Sequence, residues 1–362
     1  MKRRYYLGTI AAAALAGCSE LQPEEAPEET PEPEPSPEET PESEPAPDET
    51  PAPDDPEPTP EDEPPSDAEQ FAESRIQSGD EQLREALSAY ADAGNSESFL
   101  DVRASTTGFR WVPVYRHVQA ANEQFARAAN RGTAAQRTRV DTLRRVGALL
   151  TEMARTQERV ATAFESFGDI VVAHQGDTVS PVAWRRLDER MATIDTRFDR
   201  LTDAGDPSDA DASDHVSADE LANKTDQLAA ERDAFHRLLD ARETYTQAHD
   251  DWIRGERLYR RRSWTSAEQR FDQAASAFED ASERLAADPV DDRRFDTRYQ
   301  TFVRMAEALA EAATEYGASA AAYRDRDTET GDGRRRDGRR ILRNEDVIDG
   351  LPSVRRLEAF EP

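Results

Sequence analysis

Residues 295–323 read Phe295-Asp-Thr-Arg-Tyr299-Gln-Thr-Phe302-Val-Arg-Met-Ala306-Glu-Ala-Leu309-Ala-Glu-Ala-Ala313-Thr-Glu-Tyr316-Gly-Ala-Ser-Ala320-Ala-Ala-Tyr323. The numbered positions advance by alternating steps of four and three. A mean step of 3.5 residues keeps an apolar stripe on one face of a helix when helices wrap around each other at about +20°. A strand needs period two, and no stretch of the chain sustains that alternation.

The same spacing recurs. Trp184, Leu187, Met191, Ile194, Phe198 and Leu201 form a second unbroken seam. Val140, Leu143, Val146, Leu150, Met153, Val160, Phe164 and Phe167 form a third stripe. Leu221, Leu228, Phe235, Leu238 and Tyr245 carry a weaker one. The expected fold is therefore all-α: long antiparallel, coiled-coil-like helical hairpins over a body at 68–323. Gly168 to Ser180 reads as a break, with Ser180-Pro181 opening the next helix. Ala204 to Ser217 reads as an acidic, flexible loop, and Asp288-Pro289 as the end of a further helix.

One hairpin, at 248–287, has more character. Gly255, Trp264, Ala267, Phe271 and Ala274 stand at positions where two helices need small residues for close approach and aromatics to fill between them. This spacing resembles a tetratricopeptide repeat, without the closing proline of that family. Ala121, Phe125 and Ala128 echo it 146 residues earlier. The resemblance implies a repeat-like helix pair. The bland alternative is that any helical hairpin places Gly and Ala at its contacts. One unit and a fragment fall short of the roughly three repeats a stable solenoid needs.

The N-terminus is an address. Lys2, Arg3 and Arg4 precede the apolar run Leu7 to Gly17, which is too short to span a bilayer and suits a signal peptide at 1–17. Arg3-Arg4 resembles a twin-arginine export signal. Leu15-Ala-Gly-Cys18 resembles a lipobox, which implies lipid attachment at Cys18. Cys18 is the single cysteine in 362 residues, so no disulfide is available to the mature fold. Residues 19–67 hold 16 of the 22 prolines and 20 acidic residues with no basic one. They read as a disordered, extended Pro/Glu-rich tether, naked or O-glycosylated at its threonines.

The net charge of −30 divides into +3 in the leader, −20 in the tether and −13 in the remaining 295 residues. Only Lys2 and Lys224 are lysines, against 44 arginines. Acid excess with almost no lysine resembles proteins of salt-loving archaea, where molar salt shortens the Debye length to roughly 3 Å and screens self-repulsion. A GC-rich genome gives the same arginine bias. The acidity is therefore not evidence of a basic partner.

Marks of catalysis are missing. His117, His174, His215, His236 and His249 never share the i, i+4 spacing of a helical metal site. His174 and His215 read as solvated, and His236 as a neighbour of core Phe235. There is no nucleophile elbow, phosphate loop or dinucleotide fingerprint. No catalytic, cofactor or metal residue is assigned. Asn223-Lys-Thr is a formal glycosylation sequon. Arg260-Arg-Arg262 reads as a charged turn, and the patch around Arg334-Arg-Arg336 and Arg339-Arg340 belongs to a flexible charged tail, 324–362. Ile341-Leu342, Val347-Ile348 and Leu351 form a possible docking segment in that tail.

These features lead to the expectation of a non-catalytic, lipid-anchored scaffold or protein-binding module on the outer face of the cytoplasmic membrane. It would meet the membrane through Cys18 and take an envelope protein as partner. Nucleic acid is not expected for an exported chain, because high salt penalises phosphate contacts. The alternative is a ligand-capturing lipoprotein serving an envelope transporter, and a hydrolase ranks third. Nothing in the sequence sets the oligomeric state.

Overall fold

The computed structural model describes residues 65–286, 290–348 and 351–361. The signal peptide, Arg3, Arg4, Cys18, nearly all of the tether and the Asp288-Pro289 pair lie outside the described residues. Helix boundaries follow local chemistry. Ser66 accepts from the Glu69 amide and Glu69 reaches back, a capping box that starts α1 (Asp67–Ala93). Trp111 and Pro113 open α2 (Val112–Ala129). Thr133 and Gln136 cap α3 (Ala134–Gln175) reciprocally. Ser180 caps α4 (Pro181–Ala204), with proline in the first turn. Ser217 caps α5 (Ala218–Arg260), and α6 (Trp264–Leu285) follows after three residues. Asp292 caps α7 (Arg293–Arg324), Asp327 caps α8 (Thr328–Asn344), and α9 (Pro352–Glu358) is last. Two short 3₁₀ turns, Phe99–Asp101 and Pro207–Ala212, complete the described elements. No strand is present among the described residues, so the chain is all-α.

Successive helices pack as neighbours: α1 on α2, α3 on α4, then α5, α6, α7 and α8 in sequence. The heptad positions of α7 and α4 form the buried faces, and every seam residue of α3 and α5 quoted above is buried. At 1.5 Å per residue, the 42-residue α3 and 43-residue α5 are each about 65 Å long.

Phe271 is fully buried, with its ring 5.5 Å from that of Trp252. A Cβ on Gly255 would come within 2.9 Å of the Phe271 ring, so only glycine allows α5 and α6 this separation. Ala267 and Ala274 are fully buried at the same contact. Trp264 is half-buried and reaches across to Tyr323 at 4.8 Å. Phe125 likewise lies against Gly79, joining α2 to α1.

The α7–α8 pair repeats the α5–α6 pair at an offset of 64 residues. Trp252, Gly255, Tyr259, Ala267, Phe271, Ala274 and Phe278 correspond to Tyr316, Ser319, Tyr323, Gly331, Arg335, Gly338 and Leu342. The small residues again mark close contacts: Gly331 lies under Tyr323 and Gly338 under Tyr316.

Three segments differ from the sequence reading. Helix α3 runs through Gly168 and stops at Gly176. Gly168 is a contact point, where a Cβ would meet the Arg298 guanidinium at 2.9 Å, and Ile170, Val171 and His174 carry the buried face onward. The acidic segment 204–217 is pinned. Asp209 pairs with Arg145 at 2.7 Å, Asp80 takes the Ser213 hydroxyl and the Asp214 amide, and Ala210 and Val216 are buried. Residues 324–362, expected as a flexible charged tail, hold α8 and α9. Leu342, Ile348, Leu351, Val354 and Leu357 are buried against the body, which supplies the order that a glycine- and arginine-rich helix lacks by itself.

Candidate functional site

The first turns of α7 follow directly from its cap. Asp292 accepts from the amides of Arg294 (2.9 Å) and Phe295 (3.0 Å). The same carboxylate takes the Ser105 amide (2.8 Å) and hydroxyl (2.9 Å), clamping the loop before α2 onto the start of α7. With the helix placed, Arg294, Thr297, Arg298 and Thr301 fall on one face at i, i+3, i+4 and i+7. That face looks across to Phe164, Val171 and Gln175 of α3. Together with Ser105, Thr107 and Arg293 they enclose an open cleft of about 630 Å³.

Its chemistry departs from that of the molecule. The body carries −13, yet among the described residues three arginines and no carboxylate line this cleft. Arg298 lies 4.0 Å over the Phe164 ring and donates to the Phe164 carbonyl at 3.0 Å. Burial lowers its pKa from the free guanidinium value, although it remains a cation at any working pH. The floor is apolar, the rim carries hydroxyls, and the charge is positive. Such a surface suits a carboxylate-bearing ligand with an apolar stem.

A second cleft, of about 520 Å³, adjoins it past Arg293 and Arg294 and is lined by Asp101, Asp291 and Asp292; that cleft in turn shares Arg103 and Asp291 with a third, of about 620 Å³, lined also by Asp226, Asp233 and Arg237. The exposed Asn223 of the sequon lines the latter. Behind that wall a buried polar knot fixes the loop. The Lys224 ammonium donates to the Val102 carbonyl and to Gln227 at 3.3 Å. Glu231 accepts from the Ala104 amide at 3.0 Å and from Gln227 at 3.1 Å. Burial pulls Lys224 down to about 7 and pushes Glu231 up, each moderated by the other's charge.

One histidine, His174, is placed differently from expectation. His215 is exposed and lies 3.5 Å from Glu81, and His236 pairs with Asp195 at 2.9 Å. His174, read as solvated, is fully buried on the continued face of α3. It stands among Tyr245 (4.8 Å), Phe302 (5.4 Å), His249 (5.5 Å) and Trp184 (6.2 Å), ring to ring. Neither ring nitrogen of His174 has a hydrogen-bond partner, and Tyr245 Oη, Trp184 Nε1 and His249 Nε2 also lack one among the described residues. Desolvation, reinforced by His249, lowers His174 to about 3. No group of three or more ligating side chains forms a metal site among the described residues. No described helix is long and apolar enough to cross a membrane.

Sequence reasoning missed the arginine cleft, because Arg293, Arg294 and Arg298 are three among 44 arginines and α3 contributes from 130 residues away. It also missed the polar knot, whose signal was present: Lys224 is the one lysine after the leader. No protein-family model, no curated protein and no solved structure matches the chain.

Proposed function

We propose that this chain is a lipid-anchored, non-catalytic helical binding module of the cell surface. Its α3–α7 cleft takes an acidic segment of another envelope protein. The observation that carries this reading is the cleft with three arginines, four hydroxyl residues and no described carboxylate, set in an acidic body. The groove is open, which accommodates a segment of chain better than an enclosed small molecule, and the aspartates of the neighbouring clefts confine an acidic guest to the arginine-lined stretch. At a Debye length of roughly 3 Å only contact pairs survive in molar salt, so direct arginine–carboxylate pairs with an apolar floor are the form of recognition that works there. The anchor at Cys18, the export signal at Arg3-Arg4 and the repeat-like hairpin of Gly255, Ala267, Phe271 and Ala274 complete the proposal.

The test is crosslinking in native membranes at constant high salt, with a photo-reactive residue placed at the exposed Thr297. One discrete protein adduct is expected, and Arg294→Gln with Arg298→Gln should abolish it while the helical signal is retained. An adduct that survives both substitutions refutes the cleft as the binding site.

A further inference from the structure

The C-terminal segment sits in a polar cradle that is more elaborate than burial of seven helical residues requires. Helix α9 presents Ser353, Val354, Arg356 and Leu357 at i, i+1, i+3 and i+4 to the second half of α5 and to α8, and Phe360 follows just beyond its end. Val354 and Leu357 are buried. The indole of Trp252 donates to the Ser353 hydroxyl at 2.9 Å, and that hydroxyl donates to Asp177 at 2.8 Å. Arg356 meets Glu256 at 3.1 Å. The Phe360 carbonyl accepts from Arg335 at 3.0 Å and Arg339 at 2.5 Å, and its ring lies 5.8 Å from Tyr259.

A helix of seven residues has no stability of its own. The cradle, by contrast, belongs to α5, α8 and the turn after α3 that carries Asp177, and α5 and α8 are set by the packing of α5 on α6 and α7 on α8. The cradle is polar where a purely structural joint would be apolar. Glu256 is fully buried with Oε2 unpartnered, and Tyr316 Oη, Arg335 Nε and Arg339 Nε are buried and unpartnered among the described residues. A joint built for stability alone favours apolar residues, since buried charges lose solvation. The Trp252 indole and Asp177 lose their partner with a guest that lacks the hydroxyl of Ser353, and buried polar groups left unpaired in that way are a means of discrimination.

We infer that this cradle is a docking site for a short amphipathic helix, and that α9 is its resident occupant in cis. A partner segment of the same chemistry, with a hydroxyl, an apolar residue, an arginine one turn on and an aromatic beyond, docks by displacing it. This site is separate from the arginine cleft and selects the opposite charge: Asp177 and Glu256 read a cation. A tethered occupant holds an effective concentration in the millimolar range, so a free segment of micromolar affinity is excluded about 100-fold or more until α9 releases.

The experiment uses the full chain carrying Cys18→Ser and, to release α9, Val354→Asp with Leu357→Asp. The probe is a fluorescein-labelled peptide of residues 345–361, followed by anisotropy at constant high salt. The released chain should bind it one to one, and the chain with native α9 about 100-fold more weakly. Adding Glu256→Gln to the released chain, or Arg356→Ala to the peptide, should weaken binding at least about tenfold. A released chain with an unchanged helical signal that fails to bind the peptide overturns the proposal, as does equal binding by both chains. If the released chain does not fold, hydrogen exchange on the chain with native α9 decides. Local opening of α9, with less protection than α5 and α7, supports the latch; exchange of α9 only with global unfolding refutes it.

Discussion

His174 makes the stability of this protein depend on pH in a way that can be isolated. Its folded pKa of about 3 lies below the ordinary value of 6.5 because burial disfavours the imidazolium and His249 adds to the cost. A base with a depressed folded pKa binds protons preferentially when unfolded. Stability from this residue is therefore complete above about pH 6.5 and is lost progressively as pH falls towards 3. One pKa unit corresponds to about 1.4 kcal/mol, so the loss between pH 8 and pH 5 is about 2 kcal/mol, approaching 4–5 kcal/mol near pH 3. Carboxylates titrate in the same range, so the measurement is a difference. Denaturant unfolding of the native sequence and of His174→Leu is compared at pH 8 and pH 5 in one salt. Leucine removes both unpartnered nitrogens and nearly conserves volume, so at pH 8 the two should agree within about 1.5 kcal/mol. At pH 5 the variant should be the more resistant by about 2 kcal/mol relative to that baseline. Equal pH dependence in the two chains would refute the reasoning, and would mean that the ring is hydrated or protonated in the folded state.

Phe271→Ala should destabilise by about 3–5 kcal/mol in thermal or denaturant melts, and Gly255→Ala by about 1–3 kcal/mol despite its better helix propensity, because the new Cβ collides with the Phe271 ring. Lys224→Met should free the loop at 102–104. The expected readout is raised hydrogen exchange at the Ala104 amide, whose acceptor Glu231 then lacks its counter-charge. Lowering salt from molar to millimolar should melt the helical signal at 222 nm if −13 on the body is tolerated only through screening; a body fully stable in dilute buffer contradicts halophilic adaptation. Cys18→Ser should release the chain from membranes on fractionation, and Arg3-Arg4→Lys-Lys should block its export; unchanged retention or export sinks the corresponding assignment.

The helical class was legible because periodicity is a local signal. The seam from Phe295 to Tyr323 needs no partner to be read, and it is buried along its length. Glycine misled twice in the same way. Gly168 looks like a stop but marks close passage of Arg298, and Gly331, Gly333 and Gly338 make α8 read as a linker although the first and last seat Tyr323 and Tyr316. The second hairpin was hidden for a related reason. Its counterpart of Phe271 is Arg335, whose aliphatic stem is buried while its guanidinium holds the Phe360 carbonyl, and hydrophobic spacing does not detect such a residue. The arginine cleft depends on α3, α7 and the loop before α2 meeting in space, which no spacing rule encodes. His174 was misread because its burial follows from α3 continuing past Gly168.

Helix α5 runs unbroken from Ala218 to Arg260. It carries Lys224 and Glu231 at one end, Tyr245 and His249 beside His174, and Trp252, Glu256 and Tyr259 at the other. Lys224 and Glu256 are 32 residues apart in the sequence, which is about 48 Å along a straight helix. A helix of this length curves gently, and when it turns as a unit its two ends move in opposite directions. A tilt of about 3° around its midpoint moves each end by roughly 1.3 Å in opposite directions, given the helical rise. That displacement is comparable to the difference between a formed and a broken hydrogen bond in the knot behind the clefts. The cradle and one wall of the cleft beside Asn223 are thus mounted on a single rod.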